Sequence, residues 1–206
     1  DRFDLFSDTH PFFQTAGMNT SDPPPVSVLF EQLATGNNAT LFDHSRDDYI
    51  DAISPSLVAR GLIAHQATAI GGGRSPTVSI AGRQISVGNR RHAPLTRGLT
   101  VLLAGQTLFE TLTSNLFAYP RDEDRSHDAP LWEWDEPEQL MEQEWPAGRL
   151  DHYTWQSRRL RLVPEESDGQ WVVRQVHYAQ GRAIRDECPD PMKPYSQTDQ
   201  IGRAHV

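Results

Sequence analysis

Three consecutive glycines, Gly71-Gly72-Gly73, follow an amphipathic run and lead straight into Arg74. Each gives up side-chain packing and costs backbone entropy. A triple therefore belongs where the backbone takes unusual dihedrals or comes close to another surface. The surrounding charge narrows the choice. From Ala52 to Phe109 there is no Asp or Glu, yet the window holds Arg60, Arg74, Arg83, Arg90, Arg91 and Arg97 with His65 and His92. In a chain of net charge −9 this is a segregated cationic island, suited to a backbone-lined loop that approaches a polyanion. The residues alone leave a second reading open, in which the triple simply ends a helix.

With 206 residues the chain suits one large domain or two small ones. A mean hydropathy of −0.59, with 15 prolines and 14 glycines, points to a loop-rich fold rather than a helical bundle. A lone Cys188 excludes an internal disulfide and a multi-cysteine zinc site, and fits a reducing compartment. No apolar run reaches the roughly 20 residues of a membrane span, and no leader pattern is visible. These features predict a cytoplasmic chain, with the sequons at Asn19 and Asn38 incidental. Every cation except Lys193 is arginine, which suits bidentate phosphate contact, although a high-GC genome gives the same bias. The chain starts at Asp1 inside what reads as a structured segment. Ile201-Gly202-Arg203-Ala204-His205-Val206 matches one reading frame of a common sequencing adapter, so 1–200 is expected to be the domain and 201–206 a non-native tail.

Asp1–Phe13 reads as an extended segment pinned to a core by Phe12 and Phe13. Asp22 is placed to cap a helix over Val26–Thr35, with Val26, Leu29, Phe30 and Leu33 on one face and Gly36 as its stop. Leu41 and Phe42 then arrive in loop chemistry, where Phe42 either plugs a local core or stacks on a base. Ser54-Pro55 starts a helix running to about Ile70, with Leu57, Val58, Leu62, Ile63 and Ala67 inward. A short hairpin is predicted through Val78-Ser79-Ile80 and Gln84-Ile85-Ser86, turning at Ala81-Gly82-Arg83. Gly98–Ala104 reads as a buried strand, and Thr107–Phe117 as a helix with Leu108, Phe109, Leu112 and Leu116 inward. Arg121–Asp151 is acidic and proline-broken, a solvated face anchored by Leu131-Trp132-Glu133-Trp134. Arg158–Val163 and Trp171–Ala179 form a β-hairpin around Asp168-Gly169, with Arg159 and Arg161 outward.

Chemistry finds little support. Gly73-Arg74-Ser75 lacks the lysine and spaced glycine of a phosphate-binding loop, and the triple follows a helix instead of opening one after a strand. There is no nucleophile elbow. The histidines lack metal-ligand spacing, so neither a metal nor a cofactor is expected. Binding fits better: an acid-free basic window attracts phosphates, and a glycine loop lets main-chain groups reach a groove floor. The minor groove offers little beyond an A·T-versus-G·C distinction, so such a loop would read with relaxed specificity.

Six stretches in order, His10–Thr15 (HPFFQT), Gly36–His44 (GNNATLFDH), Ala69–Gly73 (AIGGG), Leu108–Phe117 (LFETLTSNLF), Leu150–Val163 (LDHYTWQSRRLRLV) and Asp190–Met192 (DPM), resemble the CasA family, the large subunit of the type I-E CRISPR surveillance complex Cascade. The resemblance implies a mixed α+β, loop-rich N-terminal domain of that subunit, lacking its C-terminal helical bundle. It implies a non-catalytic DNA-recognition subunit in which Gly71, Gly72 and Gly73 approach the minor groove of the protospacer-adjacent motif. Arg74, Arg83, Arg90 and Arg91 become candidate phosphate partners. Leu41, Phe42 and His44 fall on a loop that contacts the 5′ end of the guide RNA, with His44 standing where some members have an amide. A basic side chain that some members insert in the minor groove has Arg174, Arg182 and Arg185 as candidates. The implied partners are guide RNA, double-stranded target DNA, the other Cascade subunits and a helicase-nuclease. Pairing would read the target and protein the short motif. A scaffold role in another nucleoprotein complex, and a nucleotide-binding enzyme, are the alternatives.

Overall fold

The element that carries the fold is an antiparallel hairpin, β4 (Arg158–Ser167) and β5 (Gln170–Gln180). Asp168 and Gly169 close it with φ of 53° and 74°, the two positive values a type I′ turn demands. The strands outrun the predicted ones because Pro164 lies inside β4 instead of ending it. The register shifts between Val163 and Pro164, so the residue without an N–H sits at a bulge. The structure, a computed structural model, describes residues 2–31, 33, 52–116, 126–135 and 141–188, with the backbone of 195–197 and 203–205. The predicted Gly36 stop and the segment 34–51 lie outside the described residues.

Both hairpin edges are covered. Leu160 O accepts from Thr15 N at 2.8 Å and Leu162 N donates to Gln14 Oε1 at 2.8 Å, while Ile53 and Val173 exchange two backbone bonds across the other edge. Helix α1 (Pro55–Thr68) lies against the hairpin through Val58 and Leu62, with Pro55 at its first turn as the sequence predicts. Leu57 and Ile63 are 41% and 48% exposed, contrary to the predicted inward face. Gly61, His65 and Gln66 are buried in their place, because Phe30 packs its ring onto Gly61 and leaves no space for a Cβ. Val26, Leu29 and Phe30 enter this core as predicted, but from a single 3₁₀ turn, Val26–Leu29, without a side-chain cap from Asp22. Residues 2–13 run in turns, not extended, and Phe12 and Phe13 pack on Trp132.

A smaller sheet of β1 (Met18–Asn19), β2 (Val78–Ile80) and β3 (Arg83–Ile85) packs Met18, Val78 and Ile80 against Ala179 of β5. Its hairpin pairs Ile80 with Arg83 across Ala81 and Gly82 (φ 48° and 79°), so the turn is one residue tighter than expected. Helices α2 (Leu108–Ser114) and α3 (Arg149–Tyr153) complete the α-helices among the described residues, and β6 (Tyr195–Gln197) pairs with β7 (Arg203–His205).

The largest departure is the segment 98–116. No strand forms at 98–104, and Leu99, Leu102 and Leu103 are exposed. Helix α2 forms where the pattern predicts, yet Leu108 and Phe109 are each 75% exposed. Local bonds hold this unit: a Thr107–Glu110 capping box, and Asn115 bridging Leu103 N and O at 2.9 and 2.8 Å. Helical periodicity reports which residues share a face, not that a partner covers it.

Candidate nucleic-acid interface

The glycine triple is one side of an irregular antiparallel ribbon. Residues 69–75 leave the C-terminus of α1 and run beside 88–93. Ala93 N donates to Ala69 O (2.9 Å), Gly72 N to Arg90 O (2.8 Å), Arg90 N to Gly73 O (3.1 Å) and Ser75 N to Gly88 O (3.2 Å). Gly71 N donates to His92 Nδ1 at 3.1 Å, which makes that ring nitrogen an acceptor. The triple is therefore neither a bare helix stop nor a free loop.

Each glycine is required for its own reason. A Cβ on Gly71 would lie 2.7 Å from His92 N and 2.9 Å from Arg91 C, both backbone atoms. Gly72 has open space around it but φ of 118°, outside what L side chains adopt. Gly73 has φ of 69°, and a Cβ there would meet the Arg90 guanidinium at 2.6 Å. Arg74 opposes Asn89 in a bridge whose flanking bonds belong to Gly73 O and Ser75 N. Its own N–H and C=O consequently point away from the ribbon. Among the described residues Gly73 N–H and Gly71 C=O also take no hydrogen bond. The exposed turn offers donors and acceptors in the main chain, with Gly72, Gly73 and Arg74 all exposed.

The four candidate arginines divide. Arg74, Arg83 and Arg91 are exposed, and among the described residues none of their side chains is in an ion pair. Arg90 turns inward instead: its Nε donates to Gly72 O at 3.0 Å and its guanidinium lies 5.8 Å from the centre of the Tyr178 ring. It holds the loop. Nor does the acid-free window stay acid-free in space. A cleft of about 550 Å³ beside the ribbon is lined by Arg91, His92 and Arg97, but also by Glu144, Asp186 and Glu187. Arg97 pairs with Asp186 at 2.5 Å. Folding thus brings acids beside Arg91 and Arg97, while Arg74 stays exposed on the turn itself.

Beneath the ribbon is a buried polar network that sequence reading missed. Arg158, fully buried, donates from Nε to the Tyr178 hydroxyl (2.8 Å), and the same hydroxyl hydrogen-bonds His65 Nε2 (2.9 Å). His65 is held neutral. Burial, with the Arg158 charge adding, lowers its pKa from 6.5 to about 4. The unfolded chain thus takes up this proton first as pH falls. Stability from this site is complete above about 6.5 and declines toward pH 4 by up to about 1.4 kcal/mol per unit. Chemical denaturation of wild type and His65→Gln across that range should show the slope in wild type and a shallower one in the variant.

Of the remaining candidates, Leu41, Phe42 and His44 lie outside the described residues. Arg182 is excluded from any groove: it is fully buried, doubly paired with Asp151 and stacked 3.6 Å over the Trp155 ring. Arg174 and Arg185 pair with Glu165 and Glu144. Arg159, expected outward, is 6% exposed and donates to Gln180 O at 3.1 Å. Among the described residues no group of three His, Cys, Asp or Glu side chains could hold a metal, and no helix is long and apolar enough to cross a membrane.

A family model described as CRISPR-associated protein Cse1 matches residues 1–205. The chain belongs to the Cse1 family. A relative from Thermus thermophilus, the CRISPR-associated protein CasA/Cse1, is 39% identical over 199 residues, covering 93% of this chain and 36% of the relative. The crystal structure of CasA from Thermus thermophilus superposes with a TM-score of 0.69 at 30% identity, over 99% of this chain and 38% of that one. A chain from a CRISPR RNA-guided surveillance complex shares the fold, with a TM-score of 0.75 at 22% identity, over 100% of this chain and 42% of that one. The chain spans well under half the length of these Cse1 relatives. The mixed α+β architecture is that of Cse1 structures, matched over this part alone.

Proposed function

We propose that the chain is part of the large, non-catalytic subunit of a type I-E CRISPR effector complex, and that its glycine loop reads the protospacer-adjacent motif in target duplex DNA. The observation that carries this reading is the exposed Gly72-Gly73-Arg74 turn, with main-chain groups directed outward beside the exposed Arg74 side chain. Main-chain donors suit the A N3 and T O2 acceptors of the minor groove, and a carbonyl can accept from the guanine amino group. The arginines would take the flanking phosphates. Leu41, Phe42 and His44 would contact the 5′ end of the guide RNA. The remaining Cascade subunits would assemble around it in the cytoplasm, and the same subunit would help recruit the helicase-nuclease for antiviral defence. Solved structures of an RNA-guided surveillance complex with this fold support that setting.

Duplex binding by a reconstituted complex with the full-length subunit should require guide RNA and weaken with salt. Replacing Arg74, Arg83 and Arg91 with Ala should flatten the log–log salt dependence by about 0.9 per phosphate contact removed. Binding indifferent to guide RNA would favour a scaffold role, and ATP turnover by the protein would favour an enzyme.

A further inference from the structure

We infer that Arg158 is the positioning residue of the glycine loop, acting from beneath it without touching nucleic acid. Its main chain is fixed first: Arg158 N donates to Gln66 Oε1 and Arg158 O accepts from Gln66 Nε2, both at 2.9 Å, which ties the start of β4 to the last turn of α1. The guanidinium then reaches both sides of the ribbon. Its terminal nitrogens donate to Ile70 O at 2.8 Å, immediately before the glycines, and to Arg91 O at 2.9 Å, between the two residues that bond to Gly71 and Gly72. A rigid planar fork can span two carbonyls in this way; a single ammonium cannot hold both at once with the same geometry.

Two more of its N–H groups meet the Tyr178 hydroxyl and Ser157 O, at 2.8 Å each. All these acceptors are neutral, and among the described residues no carboxylate pairs with Arg158. A fully buried cation held only by carbonyls and hydroxyls is costly, so it stays where it fixes a geometry. The geometry it fixes here is the spacing between residues 70 and 91, hence the approach of Gly71 to the 90–92 backbone. The parity of β4 contains the signal: the alternation that turns Leu160 and Leu162 inward turns Arg158 inward as well.

This inference rests on the glycine loop as the duplex contact, and the test separates the two. Arg158→Met and Arg158→Lys are placed in the full-length subunit, and amide exchange is followed at Gly72 and along β4–β5. Guide-loaded complexes are then titrated with motif-bearing duplex. Gly72 exchange should rise at least tenfold in both variants while the β4–β5 amides and guide-RNA binding hold, and duplex affinity should fall at least tenfold. Should the methionine variant unfold, the lysine variant, which keeps the charge, gives the reading. Unchanged Gly72 exchange in a folded variant overturns the assignment, as does a lysine variant indistinguishable from wild type, because charge alone would then suffice. A loosened loop with unchanged duplex affinity would leave Arg158 as the clasp and overturn the loop as the DNA contact.

Discussion

Replacing Asp151 with Ala is expected to destabilise the folded protein by about 3–5 kcal/mol, the usual cost of leaving one member of a buried ion pair alone. Asp151 and Arg182 are both fully buried. One carboxylate oxygen also accepts from Ala147 N at 2.9 Å and the other carries a direct bond from Arg182, whose second terminal nitrogen bonds Asp151 Oδ2 at 3.0 Å. The guanidinium covers the Trp155 ring, and Trp155 Nε1 returns a bond to Arg182 O at 3.3 Å. Removing the carboxylate strands the cation beneath an aromatic plane, away from water. The double variant Asp151→Leu with Arg182→Met should recover a large part of the loss, because the desolvated charge goes with its partner. Denaturant unfolding of the three proteins gives the numbers. The same pair explains why Arg182 cannot serve as a groove-reading side chain: its loss should lower stability and leave the salt dependence of DNA binding alone.

The second large effect belongs to the glycines. Bulky residues in place of Gly71, Gly72 and Gly73 should abolish motif-dependent duplex binding while the complex still assembles. At Gly71 a Cβ meets backbone on the opposite strand of the ribbon, so the two strands must part. At Gly72 the obstacle is φ alone, and at Gly73 both φ and the Arg90 side chain oppose the change. The ribbon lies at the open end of β4–β5, outside the core made by Val58, Leu62, Leu160 and Val176, which is why the fold should survive. Loss of one exposed arginine removes one phosphate contact; loss of Gly71 displaces the whole turn. The glycines should therefore matter more than any single charge.

Much of this fold was legible where local chemistry decides it. Asp168-Gly169 named its turn, Ser54-Pro55 named the start of α1, and the apolar pattern from Thr107 placed α2. What failed depends on tertiary packing. The run Leu99–Leu103 has the composition of a buried strand, but among the described residues no strand pairs with it, and composition cannot supply one. Leu57 and Ile63 share the apolar stripe of α1, yet Phe30 settles on Gly61 and sets which side of the helix faces in. At the candidate interface, the sequence marked the glycine triple and the cationic island. It did not show that Arg90 folds back onto Gly72, that Glu144 and Asp186 arrive from 50 or more residues away, or that Arg158 lies under the ribbon. Those are contacts between distant segments, and a charge count along the chain averages over them.

The glycine loop is the proposed place of contact with duplex DNA. Its most direct test is equilibrium binding of motif-bearing and motif-lacking duplexes to guide-loaded complexes, with wild type and the Gly71–Gly73 variant compared at one salt concentration. Wild type should favour the motif-bearing duplex, and the variant should lose that preference while retaining guide RNA and the other subunits. A variant complex that binds the motif-bearing duplex as tightly and as selectively as wild type would contradict it.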